Sequence, residues 1–418
     1  MLNHTFKEGF LDYCQICNTK KIFPVIDLGY QPLADDLRKE INKNTPSISY
    51  PIKIYLCKSC RLLQNNYIVG DNKLYSKDYH YRPGISKTIK LNLFNLAKKL
   101  INLYNLDKKD LIVDLGCSDG TLLAAFKQMG YKNVVGVEPT NTYKFAKKEN
   151  IHIINDFFNR SSASTLVKKF GKAKLITTTN VFAHTGELKE FILGLNLLID
   201  KKGIFVVENH YLKDIIEKLQ FDSFYHEHLR TYSLKSLIKL LKYYKFKIID
   251  AYTTSRYNGN IQAHFTKNKK HKISNNVSKI LKKEKKAKLD EIITYNKFYT
   301  NINKAKNQLL AFLNKNQKSL VVGKSYPARA GVILNYFSFL KEKINIIAEQ
   351  PTSLKINHYI SGTNIKIVNS KILKKIKPKI IIIFAWHLFH EIKNKWKSVG
   401  LPKNTKYILL LPKFKIYR

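Results

Sequence analysis

The segment that most constrains the fold of this chain reads LIVDLGCSDGTLLAAF and occupies residues 111–126. Its first apolar residues predict a buried parallel strand, DLGCSDG predicts a tight turn, and the residues after it predict a helix. Glycine allows positive φ and close approach of a ligand, so Gly116 and Gly120 indicate a ligand at the carboxyl edge of a parallel sheet. We therefore expect an α/β domain of the Rossmann-like type.

A second predicted strand, at residues 133–137, ends in Glu138. A carboxylate at that position is suited to accept hydrogen bonds from both ribose hydroxyls of an adenosine cofactor. A dinucleotide fingerprint would have its second glycine where Ser118 stands. The DxGxxxG form, with later strands predicted at 174–179 and 203–208, is similar instead to class I S-adenosylmethionine (SAM) methyltransferases. This resemblance implies that Asp114 and Gly116 line the methionine side of SAM and that Glu138 binds its ribose.

Four of the five cysteines form two Cys-x-x-Cys pairs, Cys14 with Cys17 and Cys57 with Cys60. In a reducing compartment, two such pairs are typical of a tetrahedral thiolate site for Zn²⁺, because each two-residue spacer lets both sulfurs turn onto one ion. The alternative is two unrelated pairs of small core residues. Four protein ligands would leave no position for water or substrate, so the predicted zinc ion is structural.

The formal net charge of +44 raises the question of a nucleic-acid partner. The excess is almost entirely lysine spread along the chain, without an arginine-rich stripe or an RNA-binding signature, so we expect no specific nucleic acid. The N-terminus has no signal pattern, and no apolar run reaches the roughly 18 residues of a membrane span. We expect a cytoplasmic monomer, with two or three domains in its 418 residues.

The segment FDSFYHEHLRTYS, at residues 221–233, places two of the chain's 12 histidines around one glutamate. A metal site, an acid/base site and a structural hydrogen-bond cluster are the three possible interpretations. In an extended segment His226 and His228 would point to one face and Glu227 to the other, so at most two ligands would be offered and no metal is expected here. The acid/base interpretation assigns the chemistry to His228 and a structural role to His226.

Several further motifs carry a resemblance to a family. They are LITTTNVFAH at 175–184, DLGYQPLADDL at 27–37, DYHYRPGISKT at 78–88, PARAGVILNY at 327–336 and SGTNIKI at 361–367. Together with the cysteine pairs and YHEH, they resemble the sugar C-methyltransferases that act on nucleotide-linked 4-keto-deoxysugars. The resemblance runs from Cys14 to about Pro412. It implies a zinc-binding module at 1–75, a class I methyltransferase domain at 76–265, a helical connector at 266–300 and a second Rossmann-like α/β domain at 301–418.

The same resemblance implies site residues. Tyr225, Glu227 and His228 would come from a Tyr-x-Glu-His loop, and Tyr79 from the Asp-Tyr pair before the central domain. The segment after the fourth strand would supply Asn180 and His184. The residues that we assign to cofactor binding are Asp114, Gly116, Ser118, Gly120, Glu138, Asp156 and Asn180. Asp156, in the segment NDFF, would reach the adenine amine or simply cap a helix.

The reaction that the resemblance implies is methylation at C3 of a sugar with a ketone at C4. The ketone acidifies the C3 hydrogen, so a base must remove it and donors must stabilise the enolate. A histidine with a near-neutral pKa suits the base, and we assign that role to His228. Glu227 would orient a base or bind a sugar hydroxyl, while Tyr225, Tyr79 and His184 would donate to the enolate or contact the sugar. Such sugars are precursors of branched deoxysugars and surface polysaccharides.

Alternatives remain open for the substrate and for the C-terminal domain. A sugar O-methyltransferase, or a basic zinc-containing methyltransferase that binds nucleic acid, would share parts of the pattern. In the C-terminal domain, VVGKSYPARAG at 321–331 would hold a nucleotide, with Lys324 or Arg329 near its diphosphate, or would only pack against the active-site loop. The family usually has glycine where Ser325 stands and Pro-Trp-Asn where this chain has Ala385-Trp386-His387, which affects substrate contacts more than reaction type.

Overall fold

The structure, a computed structural model, describes residues 7–41, 47–74, 82–396 and 401–417. The elements of its N-terminal part are β1 (Gly9–Phe10), β2 (Ile22–Pro32), β3 (Leu37–Arg38), β4 (Ser49–Cys57), β5 (Leu62–Asn65), β6 (Tyr67–Ile68) and α1 (Asp71–Leu74). β2, β4 and β5 form an antiparallel sheet in that order, and β1 pairs with β6.

The central part alternates helices and strands. Its elements are α2 (Lys87–Tyr104), β7 (Ile112–Leu115), α3 (Thr121–Gln128), β8 (Val134–Val137), α4 (Tyr143–Lys148), β9 (His152–Ile154), α5 (Arg160–Phe170), β10 (Ala173–Thr179), α6 (Leu188–Leu198), β11 (Ile199–His210), α7 (Leu212–Glu217), β12 (Arg230–Thr231), α8 (Leu234–Tyr243), β13 (Lys247–Thr254) and β14 (Asn260–Thr266). The sheet order is β13-β14-β11-β10-β7-β8-β9, and β14 runs antiparallel to both of its neighbours. The strand, turn and helix predicted from LIVDLGCSDGTLLAAF are therefore confirmed.

The helices of this part follow directly from local sequence. In α2 the residues Ile89, Leu93 and Leu100 recur at helical spacing and are buried, and the hydroxyl of Ser86 accepts a hydrogen bond from the Ile89 backbone N–H at its start. α5 begins with a capping box between Asn159 and Ser162. The strands β7 and β8 are buried at every position, as expected for a parallel sheet covered by helices on both faces.

The C-terminal part begins with two long helices, which are followed by a second sheet and its shorter helices. Its elements are α9 (Asn275–Lys286), α10 (Ile292–Asn314), β15 (Val321–Lys324), α11 (Ala330–Tyr336), α12 (Leu340–Lys343), β16 (Ile346–Glu349), β17 (Tyr359–Ile360), β18 (Lys366–Asn369), α13 (Leu373–Ile376), β19 (Ile380–Ile383), α14 (Phe389–Trp396), β20 (Lys406–Leu409) and β21 (Lys415–Tyr417). The sheet order is β21-β20-β19-β15-β16-β18-β17-β3, with a parallel centre from β20 to β18. The expected α/β class, with a cysteine module and two Rossmann-like sheets, is confirmed.

Two very short strands connect the parts of the molecule. β3, from the N-terminal part, pairs with β17 at the edge of the C-terminal sheet. β12, from the central part, pairs with β5 and extends the N-terminal sheet. α10 continues across the predicted boundary at residue 300, and our division into domains stays a prediction. In the described part of the chain, no helix is both long and apolar enough to cross a membrane.

Candidate active site

The carboxyl edges of the two parallel sheets lie against one cavity of about 1090 Å³. The central sheet contributes Asp114, at the end of β7, and Glu138, directly after β8. The C-terminal sheet contributes Lys324, at the end of β15, and Glu349, at the end of β16. Carboxyl edges are where open α/β sheets bind ligands, so a single cavity here has room for two ligands end to end.

The turn after β7 is shaped to accept a ligand closely. Gly116 has a φ of +73°, and a Cβ added there would lie 2.5 Å from a methyl group of Val181. Ser118, also at positive φ, donates its backbone N–H to Glu138 Oε2 at 2.8 Å. Of the predicted cofactor residues on this turn, Gly116 and Ser118 line the cavity. Gly120 does not, because it packs at the start of α3 with its Cα facing Ala146.

Two buried carboxylates face this end of the cavity. Asp114 is 3% exposed and accepts a hydrogen bond from the hydroxyl of Thr177 at 2.7 Å, and burial raises its pKa to about 7. Glu138 accepts from the backbone N–H and the hydroxyl of Thr140 through Oε1, and burial raises its pKa as well. Within the described residues, Oε2 of Glu138 has a single donor, Ser118 N–H, which leaves a lone pair for a ligand hydroxyl.

Asp156 and Asn180 differ in their placement. Asp156 is exposed and does not line the cavity, and the helix that follows it is capped by Asn159. The exposed ring of Phe157 lies at the cavity wall beside it. Asn180 lines the cavity with a φ of 56°, and its Oδ1 accepts from Asn260 Nδ2 at 3.2 Å. Its buried Nδ2 has no hydrogen-bond partner in the described part of the chain and is a donor for a ligand.

The YHEH segment is a turn and not an extended strand. The backbone N–H of His228 donates to the carbonyl of Tyr225 at 3.0 Å, which closes the turn. Tyr225, Glu227 and His228 therefore line the cavity together. His226 points away, with its Nε2 3.1 Å from the carbonyl of Tyr50. The alternation that an extended segment would give, with His226 and His228 on one face and Glu227 on the other, does not apply here because a turn does not keep the period of a strand.

His228 has a fixed tautomer. Its Nδ1 lies 2.7 Å from the carbonyl of Ser223, which can only accept, so Nδ1 carries the hydrogen. Its Nε2 is then an acceptor, and it receives the hydroxyl of Tyr225 at 2.9 Å. Burial, and then the neighbouring His184 and His210, hold the pKa of His228 well below its usual value. The imidazole is therefore neutral and has a basic nitrogen directed toward Tyr225.

His184 and Glu227 lie beside this pair. The rings of His184 and His228 are 4.7 Å apart, and Nδ1 of His184 is 3.7 Å from Oε2 of Glu227. Burial lowers the pKa of His184 to about 4, so this imidazole is also neutral near pH 7. Tyr79, the remaining predicted catalytic residue, lies outside the described residues.

The N-terminal sheet holds the YHEH turn from one side. Asn65, the last residue of β5, donates its Nδ2 to the carbonyl of Tyr225 at 3.1 Å and its backbone N–H to the carbonyl of Leu229. The pairing of β12 with β5 continues directly from that contact. The backbone of the turn is thus fixed by the sheet that carries the second cysteine pair.

The four cysteines fit a zinc ion. Their Sγ atoms all lie within 4.8 Å of one another, and two of the pairs, Cys14 with Cys60 and Cys17 with Cys57, are 3.5 and 3.6 Å apart. A tetrahedral ion with Zn–S bonds of about 2.3 Å requires sulfurs about 3.8 Å apart. All four thiols are free of disulfides, and no other group of three or more potential ligands occurs among the described residues.

The cavity also contains residues that the sequence did not identify. His210 ends β11 with its ring 5.0 Å from that of His228, and Tyr257 packs against His210 at positive φ. Arg256 lies 3.5 Å from the buried Glu208. A non-glycine residue at positive φ and a polar residue at the end of a buried strand are signals of a site. Single-sequence patterns show the second of these signals at His210 but not the first.

Comparison with known proteins gives three family matches. Residues 14–75 match a "Putative zinc binding domain", residues 89–251 a "Methyltransferase domain", and residues 256–412 a "C-methyltransferase C-terminal domain". The C-methyltransferase NovU of Streptomyces niveus is 23% identical over 406 residues, which cover 96% of this chain and 96% of NovU.

Among solved structures, magnesium protoporphyrin IX methyltransferase (ChlM) of Synechocystis PCC 6803 with bound SAM is 15% identical, with a TM-score of 0.31. The match covers 42% of this chain and 78% of that one. A SAM-dependent methyltransferase of Clostridium acetobutylicum is 14% identical with a TM-score of 0.33, over 43% of this chain and 92% of that one. At these TM-scores the two structures add nothing to the assignment.

Proposed function

We propose a substrate and a mechanism for this chain from the premise that it is a SAM-dependent C-methyltransferase with an N-terminal zinc-binding domain and a C-terminal C-methyltransferase domain. The proposed reaction is methylation at C3 of a 4-keto-deoxysugar linked to a nucleotide diphosphate. The observation that supports it most is the neutral His228, paired with Tyr225 in the cavity that also contains the cofactor turn.

The proposed base is His228 Nε2. Its lone pair accepts a hydrogen bond from the hydroxyl of Tyr225. When the tyrosine hydroxyl turns to the substrate, this lone pair becomes available and takes the C3 proton. The Nδ1 hydrogen bond to Ser223 keeps Nε2 unprotonated and stabilises the imidazolium after transfer. The electrons of the C3–H bond move to the C4 oxygen and give the enolate. Tyr225 and His184 are the proposed donors to that oxygen, together with Tyr79.

Methyl transfer then follows without a further base. SAM, when bound, supplies an electrophilic methyl group on sulfur. That methyl group would pass to the enolate carbon, with the electrons of the broken S–CH₃ bond left on sulfur and the C4 ketone restored. Asp114, Glu138 and Asn180 are the proposed contacts that hold the cofactor, since each presents a buried polar group to the cavity at the carboxyl edge of the central sheet.

The proposed nucleotide site is the other end of the cavity. Ser325 has a φ of 61° after β15, and Tyr326 donates its backbone N–H to Glu349 at 3.1 Å. A related arrangement occurs in the central sheet, where Ser118 is at positive φ and donates its own backbone N–H to Glu138. Since two similar turns face one cavity, a nucleoside at each sheet is the arrangement that we propose. Lys324, buried at the wall, adds a positive charge suited to the diphosphate.

Solvent exchange tests the proposal. The protein is incubated with a nucleotide-linked 4-keto-deoxysugar in D₂O without SAM, and deuterium at C3 is measured by NMR. We expect exchange with the wild type and a loss of about 10²–10⁴-fold in His228→Ala. His226→Gln is the matched control, because its side chain keeps a donor for Tyr50, and it should exchange within a few-fold of the wild type.

The position of the methyl group in the product formed with methyl-labelled SAM completes this test. A methyl group bound to C3 supports the proposed reaction. A methyl group on a hydroxyl oxygen, with no exchange at C3 in the wild type, would contradict it and establish a sugar O-methyltransferase instead.

A further inference from the structure

An arginine of the C-terminal domain reaches the loop that carries the active-site turn. Arg329, just before α11, donates Nε to Asp222 Oδ2 at 2.8 Å and Nη2 to Asp222 Oδ1 at 2.6 Å. Nη2 also donates to the hydroxyl of Ser223 at 2.7 Å. Asp222 is fully buried and accepts a further hydrogen bond from Trp386 Nε1 at 2.8 Å. This bidentate pair joins the C-terminal domain to the loop that leads directly into the YHEH turn.

The loop contact is connected directly to His228. Ser223, whose hydroxyl binds Arg329, also supplies the carbonyl that accepts from His228 Nδ1. The position of that carbonyl selects the tautomer in which Nε2 is the base. Arg329 therefore fixes the residue on which the orientation of His228 depends.

These contacts leave the two N–H groups of Nη1 unused. Arginine has five N–H groups, and the three on Nε and Nη2 face Asp222, Ser223 and Gln220. Nη1 is buried and has no hydrogen-bond partner in the described part of the chain, while Arg329 lines the cavity. A buried charged donor without a partner is costly, so an oxygen of a bound ligand is expected to accept from it.

The surroundings of Arg329 indicate whether the ligand oxygen that accepts from Nη1 belongs to the reacting sugar or to the diphosphate. The positive charge contributes to the low pKa of His228, His210 and His387, and it opposes the rise in the pKa of Tyr225 caused by burial and by Glu227. The guanidinium carbon lies 4.9 Å from the ring centre of Trp386. His228, His210 and Tyr225 belong to the proposed catalytic group, so the charge of Arg329 acts at the reacting end of the cavity.

We propose that Arg329 is a further catalytic residue, whose Nη1 donates to the oxygen that becomes anionic when the substrate is enolised. Nε and Nη2 meanwhile hold Asp222 and Ser223, so one side chain both stabilises the enolate and positions the base. This inference rests on the proposed C3 methylation. No atom is transferred to or from Arg329 in this step.

The variant Arg329→Lys separates the two roles. Lysine keeps the charge and one contact to Asp222 but cannot donate to the substrate at the same time. We expect C3–H exchange and kcat to fall by about 10²–10³-fold, the effect of losing one donor to an oxyanion. The dissociation constant for the free nucleoside diphosphate should change by no more than about 3-fold, because lysine keeps the positive charge of the arginine.

Asp222→Asn is the matched control. It weakens the hold on the loop but leaves Nη1 of Arg329 in place, so its exchange rate should fall by less than about tenfold. Equal losses of exchange rate in the two variants would show that Arg329 acts through the loop alone. Weaker binding of the nucleoside diphosphate to Arg329→Lys, with a normal exchange rate, would place Arg329 at the diphosphate. Both results overturn the inference, whereas a wild type without C3 exchange overturns the proposed function itself.

A rescue experiment covers the case in which the lysine variant does not fold. Arg329→Ala is assayed with and without added methylguanidinium, and SAM binding reports whether the protein is folded. Restored C3 exchange supports the inference. Restored SAM binding without restored exchange contradicts it.

Discussion

Asp114 is the residue whose ionisation should control cofactor binding. Burial raises its pKa to about 7, and an ionised carboxylate there would attract the positive charges of SAM. Because SAM binds the form of the protein in which Asp114 is ionised, the affinity for SAM should be highest above pH 7. Below pH 7 it should fall by about tenfold per pH unit, as the carboxylate is protonated. Calorimetry across this range checks the slope. Asp114→Asn should remove it, whereas Asp156→Asn, at an exposed position outside the cavity, should not.

His228 should show a different pH dependence. Burial and the neighbouring His184 and His210 keep its pKa well below the usual value, so Nε2 stays unprotonated down to acid pH. We expect C3–H exchange without SAM to be constant from about pH 8 to about pH 6, where an ordinary histidine of pKa about 6.5 would already lose most of its basic form. An exchange rate that falls with an apparent pKa near 6.5 would contradict the buried, neutral base.

Among the elements, β5 is the one that joins the zinc site to the chemistry. It begins one residue after Arg61, which follows Cys60, and it ends at Asn65, whose side chain holds the carbonyl of Tyr225. Asn18 and Arg61 occupy the same position after the two cysteine pairs, each with a φ of 57° and each donating its N–H to the first cysteine of its pair. The turn at Arg61 sets where β5 starts, and therefore the position of Asn65 at the end of that strand.

Asn65→Ala tests this connection. The lost hydrogen bond is worth about 1 kcal/mol, and the freed Tyr225 carbonyl lets the YHEH turn move, so we expect C3–H exchange to fall by about tenfold with SAM affinity unchanged. Ser59→Ala is the control, because it also removes a hydrogen bond between the zinc module and the central part, the one donated by Lys239 Nζ, and that bond does not involve the YHEH turn. Equal exchange rates in the two variants would contradict a role of β5 in positioning the base.

The limits of sequence reasoning also follow from particular elements. β7, β8 and β19 were predictable because each is a mainly apolar run between turn residues and helical patterns. The two-residue strands β3 and β12 were not, since two residues carry no periodicity and their partners lie far away in the chain. The pairing of Arg329 with Asp222 was not predictable either, because the two residues lie 107 positions apart in the chain. The cysteine pairs, in contrast, identified their own site because their spacing carries the geometry.

At the scale of the whole molecule, the three parts share their cores. Cys14, Cys57 and Cys60 are packed in one buried cluster with Tyr211, Tyr232 and other side chains of the central part. Ile52 and Ile54 of β4 belong to a second cluster that continues into α10 and the C-terminal sheet. The short strands β3 and β12 also pair across the boundaries between these parts, β3 with β17 and β12 with β5. The described residues of the zinc module therefore pack into cores that they share with the other two parts, and loss of the module should affect the whole chain.

Removal of zinc with a chelator tests this coupling. Since the metal organises side chains that belong to cores of the other parts, we expect one cooperative unfolding transition whose midpoint falls by about 5 °C or more. Hydrogen exchange should show lost protection at the YHEH turn and along β17, the partner of β3, as well as in the zinc module. The variant Cys117→Ala, a buried cysteine outside the zinc cluster, controls for general effects of thiol loss and should leave the chelator response unchanged. Protection lost only within residues 7–74, in a separate early transition, would show instead that the module is an independent unit.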